Sequence, residues 1–132
     1  MRVLVDTSVW SLALRRKGPA DHPAVAKLGG LLHAGEDVFV CGLVLQEVLQ
    51  AFRSESAFGT VRRHFDAFPL LPLARRDFVE AASLHRRCAA TGVVASTTDC
   101  QIATAAIRHR CLLLTADRDF ERMATVSPLE LV

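Results

Sequence analysis

Three short apolar runs, VLV at 3–5, VFVC at 38–41 and CLLLT at 111–115, are continuous rather than alternating, and helix-patterned sequence separates them. A strand that faces water on one side alternates apolar with polar residues, whereas one that is apolar throughout is covered on both faces. Strands of that kind between amphipathic helices build a parallel sheet with helices above and below. The expected fold is α/β: a single three-layer domain over residues 1–132 with a roughly five-stranded, mainly parallel sheet.

The remaining segments fit this frame. Helices are expected over 8–16, stopped by Lys17-Gly18-Pro19, over about 23–34, closed by Gly35, and over 43–52 and 57–67. Further helices are expected over 75–90, stopped by Thr91-Gly92, over 99–110, and at DRDFERMA near the end. FPLLPL at 68–73 reads as a proline-marked edge strand and LELV at 129–132 as a closing strand.

Composition narrows the function classes. Hydrophobic residues make up 51% and charged residues 23% of the 132, a globular balance. No apolar run approaches the ~20 residues of a membrane span. Asp6 interrupts the first apolar run and Arg15-Arg16-Lys17 follows it, the reverse of a signal peptide, so the expected location is the cytoplasm, away from membrane. The four cysteines show no C-x-x-C spacing, and Cys41 and Cys111 lie inside apolar runs, so buried thiols are expected rather than disulfides or zinc ligands. A net charge of +2 does not by itself argue for nucleic acid. The 16 basic residues include only two lysines, Lys17 and Lys27, and several arginine pairs. Those pairs suit phosphate, and they equally suit solvated helix faces.

The acids are more informative, because ligands of open α/β sheets bind beyond the carboxyl ends of the strands. Asp6 directly follows the first strand. Asp117 follows CLLLTA, with Asp119 two residues on. Asp99 opens the helix TTDCQIATAAI, and Glu47 lies about one turn into the helix after strand 38–41. Each has a local explanation: Asp6 and Asp117 as helix caps, Asp99 in a capping box with Ser96, Glu47 facing solvent. Yet Glu47 has Leu43, Val44, Gln50 and Ala51 at i±3 and i±4, with no basic partner, and so borders the apolar face. Carboxylates converging on one rim repel unless a cation lies between them. An all-oxygen ligand set favours Mg²⁺ or Mn²⁺ over zinc. Caps account for the acids one by one, and a metal accounts for them together.

VLVDTSVW, QEVLQAF, TTDCQIATAA and LLLTADRDFERM, in that order, resemble the PIN-domain ribonucleases and, more narrowly, the VapC-type toxins of bacterial toxin–antitoxin pairs. The likeness spans essentially the whole chain. It implies that Asp6, Glu47, Asp99 and Asp117 are the catalytic acids, with Asp6, Asp99 and Asp117 binding metal and Glu47 and Asp119 as further ligands. It also implies that Ser8 supports the site without binding the metal itself. The activity implied is Mg²⁺- or Mn²⁺-dependent hydrolysis of RNA by a metal-activated water, leaving 5′-phosphate and 3′-hydroxyl ends. The implied partners are a VapB-like antitoxin, an RNA substrate and a second toxin copy, assembled as a homodimer and as a heterotetramer or larger complex.

Other classes fit less well. A phosphoryl-receiver domain needs a lysine after its last strand, and both lysines here precede residue 28. An aspartyl phosphatase wants D-x-D after the first strand, where this chain has Asp6-Thr7-Ser8. A non-catalytic interaction module whose acids are only caps, and a PIN-family RNA-processing nuclease without an antitoxin, are the alternatives that remain.

Overall fold

The computed structural model describes residues 1–132. In chain order the elements are β1 (Arg2–Val5), α1 (Thr7–Ala13), α2 (Pro23–His33), β2 (Asp37–Cys41), α3 (Gly42–Gln50) and α4 (Glu55–Phe65). They continue with β3 (Leu70–Leu71), α5 (Arg75–Ala90), α6 (Thr97–Arg108), β4 (Leu112–Leu114) and α7 (Asp119–Met123).

The four strands lie in the order β3-β2-β1-β4, and every pairing is parallel. Val3, Leu4 and Val5 of β1 are each 0% exposed, so the continuous apolar run is covered on both faces. Helical crossovers carry the chain outward from β1 to β2 and β3 and then back across to β4. The winding therefore reverses between β1 and β4. A crevice opens at such a reversal, beyond the carboxyl ends of the two strands.

The expected fifth strand is not formed. LELV contributes one bridge, Leu131 to Leu113, and Pro128 just before it brings no N–H to a ladder. Helix limits also move. α1 stops at Ala13, where the chain turns back with Ala20 N–H bonded to the Leu12 carbonyl at 2.9 Å and Gly18 at φ 101°. α4 begins at Glu55, earlier than residue 57, because Ser54 Oγ accepts from Ala57 N–H at 3.0 Å. α6 begins at Thr97 behind the Ser96 cap.

Trp10 of α1 meets Phe65 at 4.8 Å between ring centroids and Phe68 at 5.2 Å, which fixes α1 against the end of α4. α5 and α6 are joined by an ion pair whose carboxylate is buried. Asp77, 2% exposed, accepts from Arg108 Nε at 2.7 Å and from Ala74 N–H at 2.7 Å. All four cysteines are free and buried, and no helix is long and apolar enough to cross a membrane.

Candidate metal centre

Asp6 stands where β1 ends, and its own N–H continues the ladder by donating to the Leu114 carbonyl at 2.9 Å. Its Oδ1 accepts from Thr7 N–H at 2.7 Å, which caps α1. Its Oδ2 accepts from the Ser8 hydroxyl at 2.7 Å and the Thr115 hydroxyl at 2.9 Å. Those hydroxyls accept in turn: Ser8 Oγ from Ala116 N–H at 3.0 Å, Thr115 Oγ1 from Asp117 N–H at 3.0 Å. One carboxylate thus ties the tips of β1 and β4 together. Each carboxylate oxygen has about two lone-pair positions, so Oδ2 is filled and Oδ1 keeps one free.

Asp99 and Ser96 form a reciprocal cap, with Asp99 N–H donating to Ser96 Oγ at 3.0 Å and Ser96 N–H donating to Asp99 Oδ2 at 3.3 Å. Asp117 Oδ1 accepts from Asp119 N–H at 2.9 Å, turning the loop into α7. Each of these bonds leaves the second oxygen of the carboxylate open. Asp99, Asp117 and Asp119 each present a ligand oxygen within 4.8 Å of the other two. Asp119 also pairs with Arg122 at 2.9 Å, which offsets part of its charge. Asp6 and Glu47 fall outside that compact group. Asp6 is nevertheless close enough for its charge to act on Asp99. Glu47 accepts the Thr7 hydroxyl at 3.0 Å, which joins it to the same rim.

Thr7 and Thr115 carry no acid, and sequence reasoning assigns them no role although both lie inside the motifs quoted above. Their hydroxyl positions, one residue after Asp6 and two before Asp117, were the available signal.

Burial is the main reason Asp6 stands above the ordinary carboxylate range, against the hydrogen bonds from Ser8, Thr115 and Thr7 that favour its charged form. Burial also leads at Asp99, where the Ser96 bonds oppose it and the charges of Asp117 and Asp6 add to it. The linkage has a definite sign. An acid whose folded pKa is raised contributes stability below its unfolded pKa, and that contribution disappears as pH rises through the folded value. In EDTA, Asp99→Asn should therefore gain thermal stability relative to the parent between about pH 4.5 and 7.5, on the order of a few degrees. Added Mg²⁺ at pH 7.5 should narrow the gap by stabilising the parent. Melting curves for both proteins that stay parallel across this range would contradict the electrostatic account.

The donor set fits a hard divalent cation. It is all oxygen, three carboxylates share one small volume, and no lysine or arginine reaches Asp6, Asp99 or Asp117.

The largest cavity lies elsewhere, about 610 Å³ between α1, α3 and α4, with Trp10, Leu14, Val48 and Phe52 on its walls and Arg16 and Arg53 among its lining residues. Trp10 also carries the one fully buried side-chain polar atom without a hydrogen-bond partner, its Nε1.

The model of the PIN domain family matches residues 3–126. VapC ribonuclease Mb1587 of Mycobacterium bovis and Ribonuclease VapC11 of Mycobacterium tuberculosis are each 29% identical over 130 residues, covering 97% of this chain and 96% of their own. Among solved structures, VapBC2 from Rickettsia felis bound to a promoter DNA fragment aligns with TM-score 0.78 and 15% identity, over 100% of this chain and 98% of that one. FitAcB from Neisseria gonorrhoeae aligns with TM-score 0.71 and 17% identity, over 98% and 96%. At those identities the structural likeness is one of fold.

Proposed function

The chain belongs to the PIN domain family, and from that premise we propose that it is an Mg²⁺- or Mn²⁺-dependent endoribonuclease acting as the toxin of a VapBC-type pair. The observation that carries this reading is the meeting of Asp99, Asp117 and Asp119 within 4.8 Å, at the crevice where β1 and β4 part. The names of the curated relatives, both ribonucleases, point to RNA as the substrate.

The open oxygens of Asp99 and Asp117 and the remaining lone pair of Asp6 Oδ1 would hold the cation, with Asp119 beside them. When bound, the cation supplies charge neutralisation on the phosphate and a lowered pKa for water. The chain's own residues do the rest. Thr115 and Ser8 hold Asp6 in one rotamer, so its ligating oxygen keeps its direction. Ser96 fixes Asp99 on the first turn of α6, an end whose partial positive charge favours the anion. Glu47, held through Thr7, has its second oxygen free to accept a proton from the attacking water or to meet a second ion.

The groove between α1, α3 and α4 gives the toxin reading its partner. Solved relatives of this fold are toxin–antitoxin complexes, and an apolar trough suits one face of an amphipathic segment. Arg16 and Arg53 favour an acidic flank on that segment. The antitoxin is proposed to lie there.

Purified protein incubated with total RNA should cleave in Mg²⁺ or Mn²⁺ and not in EDTA, and the products should carry 5′-phosphate ends. Asp117→Asn, which keeps the acceptor for Asp119 N–H, should be inactive under the same conditions. Cleavage that persists in EDTA, or undiminished activity of Asp117→Asn, refutes the metal mechanism.

A further inference from the structure

A second cavity, about 440 Å³, lies between α5, α6 and the segment after α7, and shares no lining residue with the acidic rim. We propose that it binds a phosphate ester carried on a hydroxyl-bearing group such as ribose. Three guanidiniums line it, from Arg76, Arg87 and Arg108, with Glu80 as the only carboxylate on the lining.

Two of the three are held in position by the protein. Arg108 donates through Nε to buried Asp77 at 2.7 Å, and its terminal nitrogens make no bond within the chain. Arg87 donates one N–H to the Val126 carbonyl at 3.2 Å, which leaves its other donors unpaired. Arg76 makes no ion pair at all. Guanidiniums fixed in this way lose little further freedom when they close on phosphate oxygens.

Thr104 adds an unpaired hydroxyl to the three guanidiniums. It lies mid-helix in α6, on the cavity wall, and is 5% exposed. A threonine so placed commonly donates to the carbonyl one turn back, as Thr91 does to Arg87 at 2.9 Å. The Thr104 hydroxyl has no such bond and no other partner in the chain. The Thr104 oxygen is not sealed from solvent, as Trp10 Nε1 is, so this free hydroxyl opens on the cavity, where a phosphate oxygen would accept from it. The space exceeds that of a bare phosphate, and Glu80 is placed to accept from a sugar hydroxyl.

Thr104 and Arg108 follow Asp99 on α6 by five and nine positions, about 7.5 and 13.5 Å along a helix rising ~1.5 Å per residue. A nucleotide here would leave the acids free. An RNA chain would span both places.

The test is calorimetric titration of the full chain in EDTA, so that its outcome does not depend on the nuclease reading. The probes are inorganic phosphate, a nucleoside 5′-monophosphate and a short single-stranded RNA with a 5′-phosphate. The monophosphate should bind more tightly than inorganic phosphate. Arg76→Gln and Thr104→Val should each weaken it about tenfold, a loss of ~1.4 kcal/mol, with unchanged melting temperature. Arg62→Gln, on α4, should have no effect. RNA binding tighter than the monophosphate identifies the site as a substrate contact, and equal or weaker RNA binding identifies a free nucleotide. No binding of any probe at millimolar concentration, or binding indifferent to both substitutions, overturns the proposal.

Discussion

Asp99→Asn is expected to reduce metal-dependent RNA cleavage by roughly a hundredfold or more, since even residues that only orient metal ligands are worth about 10–100-fold. The protein should remain folded. The introduced amide keeps an oxygen to accept from Ser96 N–H, the backbone N–H at this position stays on Ser96 Oγ, and only the charge is lost. Asp6→Asn is expected to be just as inactive but for a mixed reason. Asp6 serves three donors, and an amide that offers one oxygen leaves a hydroxyl or the Thr7 N–H facing another donor. That variant should melt earlier than its parent, by an amount consistent with ~1–3 kcal/mol for an unsatisfied buried group. RNA cleavage and thermal melts on the two proteins separate the effects. An Asp99→Asn protein that still cleaves at the parental rate removes Asp99 from the site.

The second large effect is expected at the partner surface. Ala57 lines the groove between α1, α3 and α4 and is not among the acidic-rim residues. Ala57→Arg would place a long cation in a trough already bordered by Arg16 and Arg53. Affinity for the antitoxin should fall by about a hundredfold or more, as expected when the centre of an apolar interface is disrupted at a cost of ~2–4 kcal/mol. RNA cleavage by the free toxin should be unaffected, so the variant should be toxic even with the antitoxin co-expressed. Parental affinity in this variant would show that the antitoxin binds elsewhere.

How much of this was visible in the sequence follows from which interactions are local. Continuous apolar runs reported β1, β2 and β4, because burial on both faces leaves its mark within three or four residues. The reciprocal cap of Asp99 with Ser96 was equally readable, being an i,i+3 pattern. The bond from Thr115 to Asp6 spans 109 residues and exists only because β4 lies beside β1. Nothing in element order states that adjacency, so Thr115 shows only as a hydroxyl two residues before Asp117. Asp77 was hidden for a related reason. Set in RRDFVE it looks solvated, yet it is 2% exposed because Arg108, 31 residues on, folds over it. LELV has strand composition, but that composition does not reveal that it meets β4 at a single bridge, with Pro128 bringing no N–H just before it.

The sheet's two margins bear on how the free toxin behaves in concentrated solution. β3 is two residues long, between Pro69 and Pro72, neither of which brings an N–H to extend a ladder. On the far side, Leu113 of β4 already donates to the Glu130 carbonyl at 2.9 Å and accepts from Val132 N–H at 3.0 Å. Exposed strand margins are where identical chains add edge to edge and aggregate, and here both are blunted. Self-association of a toxin made without its partner would therefore run through side-chain surfaces, above all the unfilled groove. The useful solubilising change is a polar residue in that groove, and rebuilding the sheet margins would gain nothing.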